Sequence, residues 1–355
     1  MSDNMELIKG LSSEDERERA FAVEDIVFEG IPGAIDLLVE HLKVEKSRFV
    51  REVVINNLKT IPGQELIEKL IPLLRSDDAF IRNSIIDIIS EQDELAVSLL
   101  KPLIKDSDKD VRKFAIDILF QLKSYHSMEL IAETLDDPDI NMLITAVEYL
   151  GRLEARNFAS NINQLFMKTN SILLRCTCLE ALAVIGNKES IEVVAERYSD
   201  HNSIGDLELY SFLKFLAGQG NESHLPFAVS LIKSKGKLMA KEIINAVERV
   251  LERAKIEYLP PGIVEELAYF INSDINDINK YELLLLLGQF KNSEIESLLL
   301  TFLDSQDKLP RLGAIEALGL FGSKKGLVIL DGLRIKEEDE DILEAIEKSI
   351  NQLGG

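Results

Sequence analysis

The chain of 355 residues has no tryptophan, two cysteines, nine prolines and four histidines, and is short of positive charge: 40 basic residues stand against 62 acidic ones, a formal net charge of −22. Each scarcity excludes something. The cysteines, at 176 and 178, make no disulfide framework, so the expected compartment is the cytoplasm. The longest apolar run, residues 283–287, is far shorter than the roughly 20 residues of a membrane span, so membrane insertion is not expected. The N-terminal MSDNMELIKGL has no basic stretch followed by an apolar one, so no secretory signal is expected. A surface this acidic repels phosphate backbones and argues against nucleic acid as a partner. No Pro/Ser/Gly-rich linker or low-complexity run divides the chain, and a single unit over 1–355 is expected in place of two or three domains.

What is present is a repeat. Residues 73–89 read LLRSDDAFIRNSIIDII, 103–119 read LIKDSDKDVRKFAIDIL, and 302–318 read FLDSQDKLPRLGAIEAL. Each has an apolar helix end, an acidic turn, an Arg, a small or aliphatic residue three places on, and a second apolar run. With the Arg as marker, the slots fall at Arg19, Arg51, Arg82, Arg112, Leu143, Arg175, Leu209, Ile243, Lys280, Arg311 and Leu343, about 32 residues apart on average. Slots 209 and 243 are the least well marked, and could sit a turn away. Three residues after the marker stands Ala22, Ala115, Ala146, Cys178, Ala246 or Ala314, small enough for two helices to approach closely. Positions four and seven on are mostly Ile, Val or Leu, the apolar stripe of a helix. Gly30, Pro62-Gly63, Gly186, Gly220, Gly322 and Gly354 follow as stop signals. Acidic turns such as Ser76-Asp77-Asp78 and Asp106-Ser107-Asp108 offer oxygens to the free N–H groups of the next helix.

This pattern, seen best in Asp78/Arg82 and Asp106/Arg112, resembles HEAT repeats, particularly the short variety also found in phycobiliprotein (bilin) lyases. The resemblance covers nearly the whole chain and is weakest at slots 143, 209, 243 and 343. It implies an all-α protein: a right-handed α-α superhelix of about eleven helix pairs, the second helix of each pair lining the concave face. It also implies a binding or scaffolding role more than catalysis. Residues 1–30, where the first helix is short, and the polar stretch 335–355 are expected to cap the ends. Residues 199–262, with the longest intervals, SDHNSIGD at 199–206 and Pro260-Pro261-Gly262, are expected to be irregular, a place where curvature changes.

Chemistry is sparse. The histidines at 41, 126, 201 and 224 share no helix at metal spacing. The iron-binding HEAT-repeat deoxyhypusine hydroxylases carry His-Glu pairs, and this chain has no His-Glu dipeptide. HEAT-like DNA glycosylases need a basic surface, which is missing. Cys176 and Cys178 point about 200° apart on a helix, and Cys178 fills the small-residue core slot, so the pair reads as packing. No catalytic residue, metal ligand or cofactor is expected. The alternative function, a bilin-lyase-like or other cofactor-handling protein, rests on the resemblance alone.

The expected function is therefore a non-catalytic scaffold or adaptor for another protein, engaged through a basic or amphipathic segment. Two surfaces are candidates. Five residues after the marker, the most exposed position, the chain reads Glu24, Asn56, Asp87, Asp117, Glu148, Glu180, Lys214, Glu248, Leu285, Glu316 and Lys348. The unbroken acidic run of Asp87, Asp117, Glu148 and Glu180 would steer a basic partner, unless it is only a solvated face. One residue after the marker stand Ile144, Cys176, Tyr210, Ile244, Tyr281 and Leu312, either an apolar groove or packing between repeats. Arg51, Arg82, Arg112, Arg175 and Arg311, with Asp78 and Asp106, are structural: Arg82 and Arg112 are expected to be partly buried against their own or the adjacent acidic turn. A lysine cluster, Lys233, Lys235, Lys237 and Lys241, reads as a turn between helices.

Overall fold

The computed structural model describes residues 2–199 and 204–354, with side chains for all of these but residues 2–4, 93, 353 and 354. His201 and half of the 199–206 segment, residues 200–203, lie outside the described residues. Twenty-one α-helices and no strand occur among the described residues, with short 3-10 turns between. The chain forms two compact units, Met1–Asn161 and Ile162–Gly355, whose boundary falls inside the helix Ala159–Lys168.

In the first unit the second helices of the repeats are Glu16–Phe28, Arg48–Lys59, Ala79–Ser90, Lys109–Leu122 and Ile140–Arg152, packed side by side. In the second unit they are Ile172–Ile185, Asp206–Gln219, the downstream half of Leu225–Ala254, Asp277–Leu287, Lys308–Phe321 and Glu340–Gly354, again side by side. The sequence slots are in register throughout: each of the eleven marker residues, 209 and 243 included, is the fourth residue of its second helix. For slot 243 the helix is counted from Ala240, because Met239 (φ −127°, ψ 32°) breaks the run Leu225–Ala254 into two.

Local chemistry accounts for this register. Four residues before the marker stands the N-cap. Asp15, Ser47, Asp78, Asp108, Asp139, Ser171 and Asn276 each accept a backbone N–H of the first turn through the side chain. Such caps satisfy donors that a helix start leaves free, each stabilising by about 1 kcal/mol. Ala115, Ala146, Cys178, Ala246 and Ala314 are fully buried, as the small-residue slot requires. The core is aliphatic, with Phe166, Phe215 and Phe270 its largest fully buried side chains.

Four details differ from the sequence reading. The short first helix is Ser2–Gly10, nine residues, so the first repeat does have a first helix of more than two turns. Pro260 and Pro261 start the helix Pro261–Ile271, where a missing N–H costs nothing. The lysine cluster is helical: Lys233, Lys235 and Lys237 precede the break at Met239, and Gly236 packs against the Phe270 ring. Gly186 and Gly220 end their helices at ordinary negative φ; a Cβ at either would strike a carbonyl one turn back, so close packing explains them.

Candidate functional site

Side chains on a helix lean toward its N-terminus, so an Arg at the fourth position reaches back over the turn that precedes its helix. Arg112 does this. Its guanidinium donates to the Asp106 carbonyl at 2.8 Å and, bidentately, to Asp137 of the next turn at 2.7 and 3.0 Å. Both side chains are nine-tenths or more buried. Arg51 bridges the Glu45 carbonyl and Asp78 in the same way. The half-buried Arg82 bonds the Ser76 carbonyl and lies over the Phe114 ring. Asp106 is paired by Arg75, from the repeat before. Arg175 pairs Glu208, which also accepts from the buried Tyr198 hydroxyl at 2.9 Å, and Arg311 pairs Glu337. These residues clamp successive turns together.

The first repeat adds a titration signature. Arg19 holds both oxygens of the buried Glu45, at 2.7 and 3.1 Å, and His41 stands 3.1 Å from the same carboxylate. Burial pushes the Glu45 carboxyl up, but the Arg19 bonds and the Ser47 and Lys46 amides outweigh it and hold it at about 2. Burial lowers His41. The unfolded Glu45 takes its proton near 4.5, so its stabilisation is complete above that pH and is lost as pH falls toward 2. A shift of that size is worth at most about 3 kcal/mol. Glu45→Gln is expected to unfold more readily in urea at pH 7, and to differ from the wild type progressively less between pH 4.5 and pH 2. A difference independent of pH would assign the effect to packing.

The acidic column is exposed except at Asp117, and only partly free. Asp87 and Glu148 are exposed, and Glu148 pairs Arg152 at 3.2 Å one turn along. Asp117 is half-buried, accepts the Tyr149 hydroxyl at 2.6 Å, and is paired by Lys113. Burial, then the Asp117 bond, pushes the Tyr149 phenol up. In the second unit Glu180 accepts from Ser211 at 2.9 Å and Lys214 at 3.3 Å.

The column one residue after the marker divides. In the second unit, Tyr210 and Ile244 border a groove of about 590 Å³ across the second helices. Buried Leu213 and Leu286 form its base, with Leu285 and Leu320 beside them. Its polar border is Lys214, Lys241, Glu242, Glu248 and Glu282. Burial, with Glu252 and Glu282 adding like charge, raises the Glu248 carboxyl despite Arg249. Tyr281 instead packs on the next repeat: its hydroxyl donates to Glu316 at 2.7 Å, and its ring edge would lie 3.0 Å from a Cβ at Gly313. Burial, then the Glu316 bond, pushes its phenol up to about 12. Leu312 is half-buried outside the groove, and in the first unit Ile144 is half-buried too. Glu242, Glu282 and Leu320 were missed in the sequence because they occupy register positions outside the two columns.

Cys178 is fully buried, which pushes its thiol up to about 12, and Cys176 lies 3.6 Å from the Leu207 carbonyl oxygen. Lys233 pairs Glu266 and Lys237 pairs Asp274, each at 2.6 Å, and Lys235 pairs Asp206; Lys241 borders the groove. Among the described residues no cluster of His, Cys, Asp and Glu is placed to hold a metal ion, and no helix is long and apolar enough to cross a membrane.

No protein-family model matches the chain, and no curated protein matches it in sequence. Solved structures do. The chain is similar to Kap121p at 14% identity and a TM-score of 0.58, over 99% of this chain and 45% of that one. It is similar to Kap121p bound to Nup53p at 13% identity and 0.57, over 98% and 45%. It is similar to Kap95p in a structure that describes binding to RanGDP, at 13% identity and 0.60, over 99% and 56%. These are karyopherins, HEAT-repeat solenoids, and this chain spans about half their length. At such identities the likeness is one of fold: an all-α helical-repeat protein.

Proposed function

We propose that the protein is a non-catalytic, cytoplasmic scaffold that binds another protein on the face presented by its second helices. The observation that carries this is the groove of about 590 Å³ bordered by Tyr210, Ile244 and Leu285, an apolar base with a charged border on a helical-repeat frame. Apolar grooves edged by polar groups suit the capture of a peptide or helix. The karyopherin neighbours support the reading, since Kap121p is seen bound to Nup53p, Pho4p and Ulp1p. The exposed carboxylates Asp87 and Glu148 act before contact, attracting a basic partner over the roughly 8 Å that physiological salt allows. Glu148, Glu180 and Asp117 contribute less than Asp87, because Arg152, Lys214 and Lys113 partly neutralise them.

The test begins with affinity capture by the full chain from its own cells and identification of what is retained. Association of that partner is then followed by stopped flow for the wild type and for Asp87→Lys/Glu148→Lys. Asp117 is left alone because it holds Tyr149. The double reversal is expected to slow association several-fold at low salt and hardly at all at high salt. Equal rates at low salt would reduce the column to a solvated face. If the chain expressed with a bilin instead retained the pigment's absorbance, the cofactor-handling reading that goes with the short repeats would replace the scaffold.

A further inference from the structure

A row of aliphatic side chains in the second unit stands uncovered. Leu173, Leu207, Ile278 and Leu309 are each the second residue of a second helix, and are 63%, 77%, 59% and 39% exposed. The other two second helices of the unit have Lys241 and Asp341 at that position, and Leu238, beside the break at Met239, is 81% exposed. In the first unit the same position reads Arg17, Phe49, Phe80, Asp110 and Asn141, with no such row.

Each of these residues begins a stripe. Three residues on stand Cys176, Tyr210, Ile244, Tyr281 and Leu312; four further on stand Glu180, Lys214, Glu248, Leu285 and Glu316. Steps of three and four keep to one helix face. Neighbouring stripes touch: Cys176 meets the Leu207 carbonyl, Lys214 meets Glu180, and Tyr281 meets Glu316. The surface is thus mostly apolar along the first turns, and below them Glu242, Glu248, Glu282 and Glu316 outnumber Lys214 and Lys241. Above the row lie the carboxylates of the capping turns, Asp277 and Asp307.

An exposed apolar row, here interrupted only at Lys241, marks an interaction site. Its acidic borders select the occupant. A second copy would bring the same carboxylates and another net charge of −22, and an anionic membrane would be repelled in the same way. We infer that the row docks an amphipathic helix of a partner protein, its aliphatic residues against Leu173, Leu207, Ile278 and Leu309 and its Lys or Arg residues facing the carboxylates on either side. Packed helices lie about 8–10 Å apart, and a helix rises about 1.5 Å per residue. The partner helix would then meet a new repeat about every six residues, passing Lys241 between Leu207 and Ile278, and would need about 24 residues to cross the row. This deepens the scaffold reading and rests on it.

The test uses the full chain and a fluorescein-labelled 24-residue helical peptide with Leu along one face and Lys on both flanks. A scrambled peptide of the same composition separates helix docking from charge alone. Fluorescence anisotropy at physiological salt is expected to show the helical peptide binding at least about tenfold tighter than the scrambled one, a difference of about 1.4 kcal/mol. Leu207→Ser/Ile278→Ser should remove that margin, while Phe21→Ser/Phe28→Ser, which alters exposed apolar residues of the first unit, should leave it. All four positions are exposed, so the variants keep the fold, as circular dichroism would verify. Equal binding of the two peptides, or a margin unchanged in Leu207→Ser/Ile278→Ser, overturns the inference. So does a self-dimer in sedimentation that this variant abolishes, since the row would then belong to a second copy. If native partners stay bound to Leu207→Ser/Ile278→Ser, the row fails while the scaffold stands; if the wild type captures no protein, the scaffold fails and the row with it.

Discussion

Arg112→Ala is expected to lower the free energy of unfolding by about 3 kcal/mol. Breaking a buried pair by removing one partner is costly because it leaves the other charge desolvated and unmatched. Here the survivor would be Asp137, whose side chain is almost wholly buried, and the Asp106 carbonyl would lose its donor as well. The lower part of the usual range applies because the pair lies in a turn, where water can enter the vacated space. Two further variants separate the causes. Asp137→Asn keeps a neutral acceptor beside Arg112 and should cost less. Arg112→Ala/Asp137→Ala removes both charges, and should cost less than the two single changes summed. Chemical denaturation at pH 7 gives the comparison. A loss under about 0.5 kcal/mol for Arg112→Ala would mean that the clamp is solvated and that the turns are held by apolar packing alone.

The frame was legible because its signals repeat. A cap, an Arg or aliphatic residue four places later, and a small residue three beyond that recur in various combinations at the starts of the second helices, and slots 209 and 243 fall into register even where the Arg is lost. The partners of the Arg residues were less legible. Arg112 reaches both its own turn and the next one, and Asp137 is 25 residues away in sequence. The acidic column was visible as a pattern, but not its internal pairing, because Lys113 and Lys214 meet Asp117 and Glu180 only once one turn or two helices are built. The lysine cluster was misread as a turn for a related reason. Lys233, Lys235 and Lys237 each find a carboxylate on another element, and those pairs accompany a helix that runs on to Met239. The groove was half visible: Tyr210 and Ile244 border it, whereas Tyr281 turns to Glu316 and Leu312 lies outside.

One chemical change, Gly to Ala, is expected to have opposite signs at two helical glycines. At Gly332, in the helix Lys324–Arg334, an added Cβ meets nothing within 4 Å. The substitution there only restricts the unfolded chain and raises helix propensity, and should stabilise by about 0.5 kcal/mol. At Gly218, in Asp206–Gln219, the added Cβ would lie 2.0 Å from the carbonyl oxygen of Ala183 and 2.8 Å from its carbon, on the neighbouring second helix Ile172–Ile185. No rotamer relieves a clash with backbone, so the two helices must separate. Separation loosens the packing around Leu182, Phe215 and Leu216, all fully buried, and strains the Gln219 bond to the same Ala183 carbonyl at 3.0 Å. Overpacking of this kind costs about 1–3 kcal/mol and more where backbone must move, which outweighs the propensity gain. Gly218→Ala should therefore unfold at least about 2 kcal/mol more easily than the wild type, and Gly218→Val should be worse. Thermal and urea unfolding of the two alanine variants side by side reads both signs. Stabilisation by Gly218→Ala would show that the close approach of these helices is not needed, and that the small residues along the repeat do not set their spacing.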